Sequence, residues 1–221
     1  MISALVFDLD GLIVDTEQTA LESWQEAYGS AGFELPLELW LTTIGTWGAQ
    51  FDPAVDLGEK RGTPLTAAEI EKRRAREWEL ASQLPLMPGV AQHLEAARAR
   101  GLKLGIASSS SRRWVNGQLE RLGLDECFEC VCSRDDVAST KPDPSLYYRA
   151  LLCLGVEGSE ALAYEDSPNG LIAAKAAGLR CVVVPGSLTG GLDYSLADAV
   201  VCSLADVDPC ALWELIDAEY S

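Results

Sequence analysis

From residue 86 onward, the chain alternates short apolar runs with segments of helical periodicity. Helical patterns include 112–122, 144–154 and 169–177. Between and beyond them, apolar runs of strand length occur at 103–107, 130–133, 161–165, 181–184 and 199–202. Alternating strands and helices predict an α/β fold with a parallel, doubly wound, Rossmann-like sheet. The apolar run at 2–6 predicts one further strand of that sheet.

Residues 16–84 follow a helical pattern instead. Leu21, Trp24, Ala27 and Tyr28 recur at helical spacing, and Thr16 with Thr19 would cap the first helix. Further helices are predicted at 35–43 and at 66–84, the second of which begins with a Thr-x-x-Glu capping box. Residues 45–64 contain Gly and Pro and are predicted to form a loop.

Because 16–84 shows no alternating strand pattern, we interpret it as an insertion into the sheet domain. The predicted organisation is a discontinuous Rossmann-like core at 1–15 and 86–221 with an all-helical cap domain at 16–85. Linkers at 14–17 and 84–89 would let the cap move as a hinged unit.

Composition narrows the possible partners. The chain has 221 residues, with 34 acidic and 17 basic side chains and a formal charge of −17. A nucleic-acid partner is not expected, because phosphate backbones attract clustered Lys and Arg. The apolar runs are too short to span a bilayer, and Asp8 and Asp10 interrupt the N-terminal one. We therefore expect a cytoplasmic protein with no membrane partner.

The cysteines and the single histidine argue against a zinc site and against a catalytic histidine. Seven cysteines without a secretory signal predict reduced thiols. Cys127, Cys130 and Cys132 resemble half of a zinc site, but no second cysteine pair follows at the required spacing, so a structural role is favoured. His93 lies in a predicted helix away from any nucleophile, and we expect a structural or surface role for it.

Two aspartates, Asp8 and Asp10, stand where the first predicted strand ends at Gly11. Ligands of open α/β sheets gather at the carboxyl ends of strands, and residues two apart on an extended chain face the same side. Two close carboxylates repel unless a cation lies beside them, and Mg²⁺ prefers oxygen ligands. The pair therefore indicates a metal site together with a nucleophile. An Asp-Gly hairpin turn is the alternative.

Three further polar motifs stand at the ends of later predicted strands or before the helices that follow. The run Ser108-Ser109-Ser110-Ser111 offers hydroxyls and amides suited to phosphate oxygens, although serines also cap helices. Prolines fix the backbone around Lys141, which would otherwise be interpreted as a solvated surface group. Glu165 and Asp166 would complete an oxygen cage, or Asp166 would be a helix N-cap.

In this order and spacing the motifs resemble those of the haloacid dehalogenase superfamily of aspartate-nucleophile phosphotransferases. The resemblance covers nearly the whole chain, and it rests on Asp8-x-Asp10-Gly11-x-x-x-Asp15-Thr16, Ser108, Lys141-Pro142-x-Pro144 and Glu165-Asp166-Ser167-x-x-Gly170. The helical insertion is similar to the small cap of the subgroup that contains β-phosphoglucomutase and sugar-phosphate phosphatases.

The resemblance implies a role for each matching residue. Asp8 would attack phosphorus and form an aspartyl-phosphate. Asp10 would protonate the leaving oxygen and later deprotonate the attacking water. The transferred phosphoryl oxygens would be bound by Ser108, the backbone amide of Ser109 and Lys141.

The resemblance also implies a cofactor, Mg²⁺. Its ligands would be the Asp8 carboxylate, the Asp10 backbone carbonyl and the Asp166 carboxylate, with Glu165 as a nearby or alternative ligand.

The reaction follows from what the family's members require. A halide leaves unprotonated, so Asp10 favours phosphoryl transfer over dehalogenation. β-Phosphoglucomutases carry a histidine where this chain has Ala20 and an arginine where it has Gly48. Hydrolysis of a small phosphorylated metabolite such as a sugar phosphate is therefore favoured. A phosphomutase and a non-catalytic binding protein on the same fold are the alternatives, and the sequence does not indicate an oligomeric state.

Substrate specificity is expected to reside in the cap. Candidate contacts are Gly45, Trp47, Arg73, Arg74 and Arg76. Trp47 could stack on a sugar ring or serve as a packing anchor beside the glycines. The arginines could bind substrate, or they could form an ordinary charged helix face with neighbouring glutamates.

Overall fold

The structure is a computed structural model, and it describes residues 1–44 and 51–220. In this part of the chain six parallel strands form one sheet in the order β3-β2-β1-β4-β5-β6. They are β1 (Ala4–Phe7), β2 (Lys103–Ala107), β3 (Cys130–Cys132), β4 (Ala161–Glu165), β5 (Arg180–Val183) and β6 (Ala199–Val200). The predicted α/β fold with a parallel, doubly wound sheet is confirmed.

Helices cover both faces of this sheet and fill the insertion after β1. The insertion contains α1 (Thr16–Ser30), α2 (Leu37–Leu41), α3 (Pro53–Arg61) and α4 (Ala67–Ala81). The helices that follow the insertion are α5 (Val90–Ala99), α6 (Arg112–Leu122), α7 (Ser145–Leu154), α8 (Pro168–Ala176) and α9 (Pro209–Ala218).

Strand β1 lies in the middle of the sheet and is buried on both faces, as the continuous apolar run of a parallel strand requires. Leu5 and Phe7 point into the core beneath α5, α6 and α9. Ala4 and Val6 point into the other core, beneath α7 and α8. Successive residues of a strand face opposite sides of a sheet, so this single run of four residues contributes to both cores.

The insertion has its own small core, formed by Leu21, Trp24, Tyr28, Trp40 and Leu57. The described residues between Thr16 and Leu84 form helices and turns and contain no strand. The division into a core domain and a cap domain stays a prediction.

Two expectations for the insertion were wrong. Residues 45–64 were expected to form a loop, but α3 occupies part of that range. Asp52 caps this helix by accepting hydrogen bonds from the amides of Ala54 and Val55, Pro53 is its first residue, and Gly62 ends it in the left-handed conformation. Pro and Gly mark the two ends of this helix, because Pro suits the first helical position and Gly the C-terminal cap.

The second wrong expectation concerns the start of α1. Thr16 and Thr19 do not cap this helix through its amides. Thr16 Oγ1 donates a hydrogen bond to the Asp10 carboxylate instead, and Thr19 Oγ1 donates to the Thr16 carbonyl. The Thr16 hydroxyl is therefore directed at the carboxyl end of β1.

The expectation of reduced thiols was wrong for one pair, because Cys130 in β3 and Cys153 in α7 form a disulfide. Cys132 is free and buried. His93 is buried and hydrogen-bonded through its two ring nitrogens to the Tyr164 hydroxyl and the Leu204 carbonyl, which is a structural role. No helix in the described part of the chain is long and apolar enough to cross a membrane.

Candidate active site

Four buried charged side chains meet where β1 and β4 end, those of Asp8, Lys141, Glu165 and Asp166. Asp8 follows β1 directly and Glu165 ends β4; the two strands pair in parallel, and the Asp8 amide donates a 2.9 Å hydrogen bond to the Tyr164 carbonyl. Lys141 Nζ lies 2.8 Å from Asp8 Oδ1 and 2.6 Å from Glu165 Oε1. The sheet changes winding direction between these strands, which is where α/β proteins bind their ligands.

Three carboxylates and one ammonium leave this cluster with an excess of negative charge. One ligand oxygen from each of Asp8, Glu165 and Asp166 can be chosen so that all three lie within 4.8 Å of one another. Asp166 Oδ1 and Glu165 Oε2 are buried and have no hydrogen-bond partner among the described residues. Buried carboxylate oxygens without a partner carry a large desolvation cost, which a bound cation removes.

These residues therefore fit a divalent metal such as Mg²⁺, which binds through carboxylate oxygens. The Asp10 carboxylate is not part of this set.

Two glycines give the carboxylates their space. Gly11 has φ +80°, and a Cβ built on it would lie 2.0 Å from Asp166 Oδ2. A Cβ on Gly170 would lie 1.9 Å from Glu165 Oε2. Both distances are far below van der Waals contact. A side chain at either glycine would therefore collide with one carboxylate of the cluster.

Burial and repulsion from neighbouring carboxylates raise the pKa values of Asp8 and Asp166. Burial is the largest influence on Asp8; Lys141 opposes it, Glu165 and Asp10 add to it, and the pKa rises to about 7. Burial also raises the pKa of Asp166 well above its ordinary value, with repulsion from Asp8, Glu17 and Glu165 acting in the same direction. Such shifts are typical of carboxylates that are crowded together away from water.

The pKa of Lys141 moves in the direction that favours its charge. Burial alone would lower it, but the attraction of Asp8 and Glu165 outweighs burial and raises the pKa. Lys141 therefore stays an ammonium ion. Tyr147 in α7 contacts both charged groups. Its ring centre lies 5.4 Å from the Lys141 ammonium, and its hydroxyl donates a hydrogen bond to Glu165 Oε1.

Asp10 lies in a different environment, held by uncharged donors. Thr16 Oγ1 and Trp114 Nε1 donate to Oδ1, the latter at 2.8 Å. Ser110 Oγ donates to Oδ2 at 2.6 Å, and Ser108 Oγ is 3.4 Å from the same oxygen. The two strand-end aspartates thus differ: Asp8 lies within the charged cluster, and Asp10 is fixed by hydroxyl and indole groups.

The serine run follows β2, beside β1. Ser108 is buried, and its hydroxyl accepts a 3.0 Å hydrogen bond from the Ser110 amide. Ser109 is partly buried in the same turn. Ser111 caps α6 by accepting from the Trp114 amide. The last serine of the run caps a helix, and its earlier serines lie at the carboxyl end of the sheet. Phosphate binding by this run stays a prediction.

The cap candidates divide into three groups. Gly45 and Trp47 lie outside the described residues. Arg74 is exposed and Arg76 is half-buried, and both form ion pairs with exposed glutamates, the pattern of an ordinary charged helix face.

Arg73 differs from the other two arginines. Its side chain is mostly buried, its guanidinium lies 4.6 Å from the centre of the Trp24 ring, and it donates to Ser23 and to Glu77. It is therefore part of the packing between α1 and α4.

Four residues around the site had not been assigned there from the sequence. Ser110 and Trp114 hold Asp10, Tyr147 contacts Lys141 and Glu165, and the Tyr194 hydroxyl donates to the Asp166 carbonyl at 2.9 Å. Ser110 was visible within the serine run. Trp114 and Tyr147 had no such signal, because an aromatic residue in a helical pattern is interpreted as core, and Tyr194 lies in a loop that carried no motif.

The model of a known protein family matches most of the chain. A family model described as haloacid dehalogenase-like hydrolase matches residues 2–178. The chain belongs to this family. It is 43% identical to “Putative phosphatase YhcW” of Bacillus subtilis (strain 168) over 99% of this chain and 100% of the relative. It is 31% identical to hexitol phosphatase B of Escherichia coli (strain K12) over 93% of this chain and 94% of the relative.

A solved structure agrees with this family membership. The crystal structure of CbbY from Rhodobacter sphaeroides, a D10N mutant in complex with xylulose-(1,5)bisphosphate, superimposes with a TM-score of 0.77. That protein is 30% identical, and the match covers 93% of this chain and 96% of CbbY. The family, the fold and the hydrolase class predicted from the sequence are confirmed.

Proposed function

We propose that this protein is a Mg²⁺-dependent phosphatase that hydrolyses a small phosphorylated metabolite through an aspartyl-phosphate at Asp8. The observation that carries the proposal is the contrast between the two strand-end aspartates. Asp8 lies against Lys141 beside two carboxylates with unpartnered oxygens, and Asp10 is held by neutral donors. This contrast supports a nucleophile and metal ligand at Asp8 and a proton donor at Asp10.

Asp8 would act as the nucleophile. Its carboxylate attacks phosphorus, the ester bond breaks, and the alcohol leaves while the phosphoryl group stays on Asp8. Lys141 compensates the charge of Asp8 and, with the Ser108 hydroxyl and the Ser109 amide, would bind the phosphoryl oxygens. Mg²⁺ held by Asp8, Asp166 and the Asp10 carbonyl, with Glu165 beside it, would neutralise charge on the transferred group.

Asp10 would transfer the proton in both halves of the reaction. In the first half its carboxyl group donates a proton to the leaving oxygen, and in the second it removes a proton from the water that attacks the aspartyl-phosphate. An alkoxide is a poor leaving group without that proton. The rate with alkyl phosphates should therefore depend strongly on Asp10.

The substrate class comes from the relatives. One is named a hexitol phosphatase, and CbbY has been crystallised with a sugar bisphosphate. We propose a sugar or sugar-alcohol phosphate as the substrate. The acidic protein as a whole repels such anions, so the local cation Lys141 and the bound metal would supply the attraction.

The test is a phosphate-release assay with and without Mg²⁺. The panel is p-nitrophenyl phosphate, sorbitol 6-phosphate, glucose 6-phosphate, xylulose 5-phosphate and β-glucose 1-phosphate. We expect Mg²⁺-dependent release from at least one of them and its loss in Asp8→Asn, whereas Asp125→Asn, a change at an exposed aspartate, keeps the wild-type rate. Turnover by Asp8→Asn at the wild-type rate, or no turnover of any ester, would contradict the proposal.

The same assay distinguishes hydrolysis from phosphoryl transfer within a sugar. With β-glucose 1-phosphate, a phosphatase releases inorganic phosphate, and a mutase accumulates glucose 6-phosphate. At the position where β-phosphoglucomutases carry a histidine, α1 carries Ala20, which has no group to transfer a proton. Dominant formation of glucose 6-phosphate would therefore refute the phosphatase.

A further inference from the structure

The indole of Trp114 connects the Asp10 carboxylate to the helical insertion. Trp114 lies in the first turn of α6, and its Nε1–H donates a 2.8 Å hydrogen bond to Asp10 Oδ1. The other side of its ring meets Trp78 of α4 edge to face, with ring centres 5.5 Å apart and ring planes at 77°. One side chain of the sheet domain thus contacts both the proposed proton donor and a helix of the predicted cap.

The fit between α4 and α6 at this point is tight. Gly117 is three residues after Trp114 and so lies on the same face of α6. A Cβ on Gly117 would lie 2.7 Å from Trp78 Cη2. Trp78 therefore occupies a notch in α6 that exists because residue 117 has no side chain, and this notch fixes where Trp78 meets Trp114.

The donors on Asp10 are not equivalent. Thr16 and Ser110 are hydroxyls, which either donate or accept a hydrogen bond, so they can bind a charged or a protonated carboxyl group. An indole N–H only donates. Trp114 therefore holds Oδ1 as a hydrogen-bond acceptor, whichever way the neighbouring hydroxyls turn.

We propose that Trp114 is a positioning residue for Asp10. It fixes the plane of the carboxyl group by holding Oδ1, and its contact with Trp78 ties that geometry to the position of α4. This inference rests on the proposed function, because it assumes that Asp10 donates a proton to the leaving group.

The kinetic test compares two leaving groups in Trp114→Phe, which removes the N–H and keeps an aromatic ring. The quantity is kcat/KM, which reports the steps up to release of the alcohol. For the alkyl phosphate of the panel that wild type hydrolyses best, we expect a fall of about tenfold. This is less than the 10²- to 10⁴-fold that acid catalysis supplies in full, because the variant misplaces Asp10 and does not remove it. For p-nitrophenyl phosphate, whose phenolate leaves without a proton, we expect less than about a twofold change.

The control is Trp78→Phe, which keeps an aromatic edge against Trp114 and leaves the indole hydrogen bond in place. We expect it to change the two kcat/KM values by the same small factor. A fall of equal size for both substrates in Trp114→Phe would mean a purely structural role and would overturn the proposal.

A second measurement does not depend on activity. Indole N–H signals of the six tryptophans can be followed by NMR after ¹⁵N labelling of tryptophan, and Trp114→Phe identifies the Trp114 signal by its loss. Asp10→Asn should move that signal upfield, because the hydrogen bond then goes to a neutral amide. A signal that does not move would refute the contact. If wild type hydrolyses no ester but the signal moves, the proposed function fails and the Trp114–Asp10 contact stands.

Discussion

A methyl group at residue 11 is expected to damage both the fold and the site, and the second effect can be separated from the first. Gly11 has φ +80°, and a Cβ there would lie 2.0 Å from Asp166 Oδ2, where ordinary contact begins near 3.4 Å. In Gly11→Ala the Asp166 carboxylate must therefore move by more than about 1 Å, a displacement that can reduce catalysis by about 100-fold.

Two effects are expected to lower the free energy of unfolding of Gly11→Ala, and their costs add. An alanine at positive φ costs about 1–2 kcal/mol. Forcing an extra carbon against a buried group costs about a further 1–3 kcal/mol.

Gly32→Ala is a matched control for the backbone. Gly32 has φ +82°, and a Cβ there would meet nothing within 4 Å. It should show the backbone cost alone, with kcat/KM unchanged. The assays are urea denaturation, a Mg²⁺ titration of activity, and kcat/KM on the best substrate of the panel. If Gly11→Ala matches Gly32→Ala in stability and in activity, the steric explanation of the motif glycine is wrong.

Three other predictions follow from the same contacts. Gly170→Ala should destabilise the protein and abolish Mg²⁺-dependent turnover, because its Cβ would lie 1.9 Å from Glu165 Oε2. The control Gly29→Ala places its Cβ in open space in α1 and should stabilise the protein by about 0.5–1 kcal/mol in urea denaturation. Equal effects of the two variants would contradict the steric explanation. Lys141→Met should cost about 3–5 kcal/mol, because it breaks a buried ion pair, and a loss below about 1 kcal/mol would disagree. Burial lowers the pKa of His93 below its ordinary 6.5, so the contribution of the neutral ring to stability is complete above pH 6.5 and is lost as the pH falls. The unfolding free energy of wild type should therefore decline from pH 7.5 to about 5.5 relative to that of His93→Gln. Parallel pH curves for the two proteins would refute this prediction.

Local patterns predicted most element types correctly, since they reflect interactions within one segment. The strands predicted at 103–107 and 161–165 and the helix at 112–122 are observed with those bounds. The capping box of α4 is present, with Thr66 and Glu69 bonded to each other's backbone amides. The loop predicted at 45–64 failed, since Pro and Gly also mark the ends of helices such as α3.

Placement at strand ends also identified the charged cluster. Asp8 and Glu165 end up together because β1 and β4 are neighbours in a parallel sheet. The disulfide between Cys130 and Cys153 escaped prediction, because its halves lie 23 residues apart on β3 and α7 and meet only when this helix packs against the strand. The same holds for the indole of Trp114, whose direction depends on how α6 packs.

By itself the sequence determined the α/β alternation, the family and the order of the polar motifs, because hydrophobic periodicity and motif spacing are properties of one stretch of chain. Only the tertiary structure decided that Asp10 is held by Thr16, Ser110 and Trp114, and that Gly11 leaves room for Asp166. These are contacts between segments up to 155 residues apart in the numbering of the chain. Their geometry arises when the sheet assembles and the insertion packs onto it, and no single segment encodes it.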